Sequence, residues 1–244
     1  MKIEYPWKRL FLGLVAAILA SSPWAKAQNP NPAGPTSELQ QRLAEVKQAT
    51  AENKQALSHY AWQQQETIAV KGNVKDTKTF QVHLGPDGKP QKVEMENVPQ
   101  SSGPDRGIKG RIKEKKTEEY KEYGQQIGAL AQQYAAPDPE RLQQAYQQGN
   151  LMLAAGGMPG EVKMVIKNYV KPNDQVTLIF NRQAKAIQSM QIQSYLDDPK
   201  DAVTIAAQYS RLPDGTNHVS TMQINGVKKD LLITTENSNY QRMM

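Results

Sequence analysis

Residues 162–180 read VKMVIKNYVKPNDQVTLIF. Val162, Met164, Ile166 and Val170 fall on one side of an extended chain, because successive strand side chains point to opposite faces. Pro172, Asn173 and Asp174 make a turn, and Val176, Leu178 and Phe180 then return on the same side. Two strands joined by so short a turn pair antiparallel. One face is apolar and the other polar, the pattern of a sheet packed on one side and solvated on the other.

The alternation continues in both directions. Downstream, Ala186, Met190 and Ile192 carry it on, and beyond Asp197-Asp198-Pro199 come Val203, Ile205, Ala207 and Tyr209. Pro213-Asp214-Gly215 marks a turn before a strand at 218–224. Asn225-Gly226 reads as the next hairpin turn, and 230–235 as the closing strand. Upstream, Trp62, Gln64, Glu66, Ile68 and Val70 share one face. Phe80, Val82 and Leu84 follow, then a turn at Gly85–Gly88 and a return strand with Val93 and Met95.

Two helical blocks interrupt the strands. Ser37 and Gln40 form a capping box for a helix over 38–58, whose stripe is Leu39, Leu43, Val46, Thr50, Asn53 and Leu57 at steps of four and three. Thr50 and Asn53 weaken that stripe as a coiled-coil seam and favour docking on a sheet. Over 112–150, Tyr120, Tyr123, Ile127, Leu130 and Tyr134 keep helical spacing; Pro137 breaks it, and Asp138-Pro139 opens a second helix. Gly156–Gly160 closes the block. The fold class is α+β: a curved antiparallel sheet, an incomplete barrel of about nine strands, wrapping a leading helix and a mid-chain helical insertion at about 111–155. Residues 37–244 form a single domain.

The N-terminus has a basic start (Lys2, Lys8, Arg9), an apolar run over 10–20, and Ala25-Lys26-Ala27. This three-part order is that of a secretory signal peptide cleaved near Ala27; the apolar run is about half of the roughly 20 residues needed to span a bilayer. Residues 28–36 read as a flexible leader. The chain has no cysteine, hence neither a lipid-bearing cysteine nor disulfides, and the expected location is the periplasm, as a soluble protein. The net charge is +6, of which the signal segment carries about half. So mild a charge argues against a nucleic-acid partner.

Catalytic groups are hard to find. His59, His83 and His218 lie far apart, outside metal-ligand spacing; His59 ends a helix, and the other two are expected to face solvent. Asp197 and Asp198 are neighbours in a turn. No phosphate loop or nucleophile elbow occurs. The reading is a non-enzyme with no catalytic residue, no metal and no cofactor. The inward residues Trp62, Ile68, Phe80, Val82, Leu84, Met164, Ile166, Leu178, Phe180, Met190 and Ile192 either fill a core or wall an apolar cavity. The basic run Lys109, Arg111, Lys113, Lys115, Lys116 is either a solvated helix start paired with Glu114, Glu118, Glu119 and Glu122, or a contact for an anionic membrane or acidic partner.

The segments VTLIFN, AIQSMQIQSYL, AVTIAAQYSRLPDG and INGVKKDLLITTENSNYQ have strand lengths and turns that resemble the periplasmic lipoprotein-carrier superfamily typified by LolA and LolB, over most of 38–242. The resemblance implies an incomplete barrel around helices that act as a lid, with acyl chains bound between them. It implies a soluble carrier whose partner is a lipid or an acylated protein. The longer helical block departs from a minimal carrier. The alternative on the same fold is an envelope interaction or sensor module that carries no lipid.

Overall fold

The computed structural model describes residues 35–86, 88–95, 108–134 and 139–243, without the side chains at 35–40, 42, 43, 46, 47, 108–115, 139 and 140. The expected signal peptide and most of the expected leader lie outside the described residues. So does the loop at 96–107.

The chain forms helix α1 (Pro35–Leu57), strands β1 (Tyr60–Val70), β2 (Asn73–Leu84) and β3 (Pro90–Glu94), helices α2 (Ile108–Gln132) and α3 (Pro139–Gln147), then β4 (Leu151–Ala155), β5 (Glu161–Lys167), β6 (Gln175–Asn181), β7 (Ala186–Tyr195), β8 (Ala202–Arg211), β9 (Asn217–Gly226) and β10 (Leu231–Arg242). All ten strands belong to one antiparallel sheet in the order β3-β2-β1-β10-β9-β8-β7-β6-β5-β4. The sheet is curved and open: β3 and β4 are its two edges. Register shifts within β1, β6–β7 and β8–β9 bend it, since a bulge adds local twist.

Among the described residues the strand count is ten, one more than expected. The extra strand is β4, at the end of the stretch assigned to the helical insertion. Its sequence, LMLAA, is too short to show a period, and only its pairing with β5 makes it a strand. A second correction concerns Asn225-Gly226. Both residues lie within β9, and the chain turns through a single 3-10 turn, Val227–Lys229, closed by Asp230 in the left-handed region at φ 47°. Gly226 has φ −95°, so it is not there to make a turn. A Cβ on it would overlap the Tyr123 ring. The glycine lets α2 lie directly on the sheet backbone.

One apolar face carries the core. Val70, Leu151, Met164, Ile166, Val176, Leu178, Phe180, Ile192, Val203, Ile205, Ile224, Leu231 and Ile233 pack against Tyr123, Ile127, Leu130 and Tyr134 of the α2 segment and Leu142 and Ala145 of α3. The predicted stripe of α2 is thus the buried one.

Two polar clamps hold α2 in place. The Tyr123 hydroxyl donates to Asp201 Oδ1 at 2.7 Å, and Lys228 approaches the other oxygen at 3.1 Å. The Tyr134 hydroxyl, just past α2, donates to Asp174 Oδ2 at 2.6 Å and lies 2.9 Å from Ser194 Oγ. Asp174 is itself the organiser of the β5–β6 turn. Its carboxylate accepts from the backbone amides of Tyr169, Val170 and Lys171 at 2.6, 2.8 and 2.9 Å. Burial, reinforced by the carboxylate partner, pushes both tyrosine hydroxyls well above the usual phenol range. They remain neutral donors at any physiological pH.

The third correction is His218, which is buried rather than facing solvent. The β8–β9 register shifts between Gln208 and Tyr209, so simple alternation along β9 does not carry through to His218, and its burial comes from the rings beside it. Its ring sits 4.2 Å from that of Tyr240, which stacks on Trp62 at 5.5 Å. Trp62 donates from Nε1 to Asn237 Oδ1 at 3.2 Å, and Asn237 Nδ2 donates to the Val219 carbonyl at 2.9 Å. This aromatic island lies apart from the main core. Burial pushes the His218 pKa down.

Three outcomes follow. Asp174→Ala strands three backbone donors and the Tyr134 hydroxyl, and should cost at least about 3 kcal/mol in urea unfolding. Tyr134→Phe leaves the turn intact and should cost less, about 1.5–2 kcal/mol; equal losses would show that the carboxylate does not organise the turn on its own. Gly226→Ala should cost about 1–3 kcal/mol through overpacking, and in a Tyr123→Ala background the same change should cost far less, read by a double-mutant cycle. A depressed His218 pKa means that the unfolded chain binds the proton more readily. Its contribution is complete above the ordinary histidine value of about 6.5 and is lost as pH falls below it. Thermal midpoints at pH 7 and pH 5 should therefore diverge more in the wild type than in His218→Gln.

Candidate functional site

The inner face of the sheet is built by strand parity. Cross-strand pairs Trp62–Val82, Gln64–Phe80, Met164–Leu178, Leu178–Met190 and Val176–Ile192 put facing residues on one side, and Ile68 opposite Ile233 joins β1 to that side. All eleven residues of the expected apolar wall lie on this face, but they do not form one surface. Met164, Ile166, Leu178, Phe180 and Ile192 are buried in the main core, with Ile68 and Met190 packed at its margin. Trp62 and Val82 are buried outside it, and Phe80 and Leu84 are half-buried near them. Between the two groups, the β1–β3 arm carries charge on the same face. Lys92 lies 3.8 Å from Glu66 and 5.4 Å from the Phe80 ring centre, and Lys78 pairs with Glu94 at 3.1 Å.

Helix α1 crosses the face at the opposite rim from the Tyr–Asp clamps. Its residue Ala49 packs on the core. Its Asn53 makes a two-way bond with the backbone of Asn217: Nδ2 donates to the carbonyl at 2.8 Å, and Oδ1 accepts from the amide at 2.6 Å. Asn217 in turn donates from its own side chain to the Ile187 carbonyl at 2.9 Å. The polar residue that looked out of place in the α1 stripe is therefore its docking residue. Leu39, Leu43 and Val46 of the same stripe lie outside the described side chains. Just beyond α1, the Tyr60 hydroxyl donates to Asp214 Oδ2 at 2.6 Å; this bond and those from Thr216 hold the Asp214 carboxyl down at about 2.

Beneath α1 the ends of β5, β6 and β7 present Val162, Met164, Leu178, Phe180 and Ile187, with Glu45 of α1 and Arg182 at the rim. These two charges are 3.9 Å apart and largely solvated. The enclosed space is about 10 Å³, room for one water at most. An alkyl chain fits there only if α1 moves. Val162 was legible as inward from its parity. Ile187, Glu45 and Arg182 were not, because a bulge at Ile179/Phe180 shifts the β6–β7 register and because the rim is made by a helix distant in sequence.

Of the basic run, Lys116 is exposed; Lys109, Arg111, Lys113 and Lys115 lie outside the described side chains. Among the acidic residues expected beside it, Glu118 sits 3.7 Å from Lys121, and Glu119 3.8 Å from Lys229. Among the described residues no group of three or more His, Cys, Asp or Glu could hold a metal ion. No described helix is long and apolar enough to cross a membrane.

No family model matches this chain, and no curated protein matches it at a significant level. Two solved structures are similar to it. One is a DUF1329 family protein from Desulfovibrio piger, 13% identical, with a TM-score of 0.40 over 82% of this chain and 92% of the other. The second is a LolA superfamily protein from Nitrosomonas europaea, 10% identical, with a TM-score of 0.38 over 82% of this chain and 93% of the other. Both likenesses run over most of each chain and are distant.

Proposed function

We propose that this chain is a soluble carrier of an acyl-chain ligand in the periplasm, taking a lipid or the lipid moiety of an acylated protein against the sheet beneath α1. The observation that carries the reading is an asymmetry between the helices covering the apolar face. The α2 segment is fixed by two buried tyrosine–aspartate bonds and by ring-to-backbone contact at Gly226. The described contacts of α1 include an asparagine pair with the Asn217 backbone, Ala49 on the core and a half-exposed ion pair at the rim of five apolar side chains, none of them a buried carboxylate. The helix that yields is α1, and what it uncovers is greasy.

The magnitudes are compatible. Two neutral hydrogen bonds are worth about 1 kcal/mol each, and an exposed ion pair about 0–1 kcal/mol. Burying ten methylenes of an alkyl chain returns about 8 kcal/mol. Lifting α1 also uncovers its own apolar contacts, and an alkyl chain laid on the same patch re-buries that surface, which a small polar ligand does not. Arg182 and Glu45 at the rim would meet the polar end of such a ligand. The basic run at the start of α2 adds attraction to an anionic membrane surface as a source of cargo.

Protein purified from an envelope fraction should release lipid in native mass spectrometry, and should bind a fluorescent fatty acid that unlabelled fatty acid displaces. Asn53→Ala should accelerate uptake of that probe by about tenfold, from the loss of about 1–2 kcal/mol of docking, while the thermal midpoint falls by only a few degrees. Lipid-free protein together with no probe binding would overturn the reading.

A further inference from the structure

The two edges of the sheet are defended differently. At one edge, β3 reads PQKVE: Pro90, Lys92 and Glu94 block or repel an incoming strand, the usual protection of an exposed edge. At the other, β4 reads LMLAA and has no charge and no proline. Residues 142–160, which span the end of α3, all of β4 and the turn after it, contain no Asp, Glu, Lys, Arg or His, in a chain that is 22% charged. Met152 and Met158 are 49% and 69% exposed on this segment. Among the described residues nothing pairs with the outer side of β4.

The hydrogen-bonding parity of β4 is also defined. The Asn150 carbonyl accepts from the Lys167 amide, and the Gly156 amide donates to the Glu161 carbonyl. Residues 150, 152, 154 and 156 therefore turn their backbone groups toward β5, and Leu151, Leu153 and Ala155 turn theirs outward.

We propose that this edge pairs with the same edge of a second copy, antiparallel about a two-fold axis at Leu153. In that register Leu153 faces itself, and Leu151 faces Ala155 twice. Every outward N–H and C=O of the strand then meets a partner. The side chains match in size, because Leu151 lies opposite Ala155 and Met152 opposite Ala154. A two-fold contact sets each residue near its own copy, so charges in such a patch repel themselves. The uncharged stretch is what self-pairing requires. It is not what an acidic or a basic partner would select. The continuous sheet that results has β3 as both of its ends, and these are the protected edges.

Sedimentation equilibrium on the purified protein, up to about 1 mM, tests this as a weak dimer. Ala155→Pro removes an outward amide without touching the β4–β5 bonds, and Met152→Lys sets like charges near the axis. Each should weaken association at least tenfold, with the monomer's circular dichroism and unfolding midpoint preserved. Val93→Lys on the other edge should leave association unchanged. Because the chain lacks cysteine, Leu153→Cys supplies a single thiol, and mild oxidation should give covalent dimer where Val93→Cys does not. A wild type that stays monomeric throughout would overturn the proposal. So would a dimer indifferent to both β4 variants, or equal cross-linking at the two edges.

Discussion

A sheet with one greasy face has to be covered, and here two tyrosine–aspartate hydrogen bonds decide what covers it. Tyr123 to Asp201 and Tyr134 to Asp174 pin the α2 segment to the turns at one rim, and the glycine at 226 lets the first of those rings settle on bare backbone. Each bond joins a neutral donor to a buried carboxylate, the stronger class of hydrogen bond. Asp174 does two tasks at once, because the same oxygens that receive Tyr134 also gather three amides of the β5–β6 turn. The turn, the helix and the core beneath them thus stand or fall together.

The opposite rim is built from weaker parts. Asparagine amides and a solvated ion pair replace buried carboxylates there, and the helix they hold lies over side chains that make no polar contact of their own. The two rims thus differ in the chemistry of their described contacts, and the proposed carrier reading rests on that difference. The space beneath α1 is about 10 Å³, so the proposed ligand requires this helix to move.

Parity along the strands made most of the inner face legible. Met164, Leu178, Phe180 and Ile192 point inward in the sequence pattern and in the folded chain. The tyrosine stripe of α2 was equally plain, because Tyr123, Ile127, Leu130 and Tyr134 keep helical steps. The failures have physical causes. LMLAA is too short for any period to show, so β4 passed for the end of a helical block. Asn225-Gly226 has the composition of a hairpin turn, but the glycine answers to an aromatic ring approaching from another element. His218 was read by plain alternation, which a register shift between β8 and β9 interrupts beside it. Asn53 looked like a flaw in an amphipathic stripe, since the backbone it bonds to lies 164 residues away.

Composition and alternation were by themselves enough to settle an α+β chain with one antiparallel sheet, apolar on one side, and helices to cover it. Those features depend on local geometry, where a side chain's direction follows from its place in a strand or helix. Which helix is clamped, where the rim charges meet and which strands form the sheet edges were all decided by folding. Each depends on a contact between residues far apart in the chain, and no local rule of spacing carries that information.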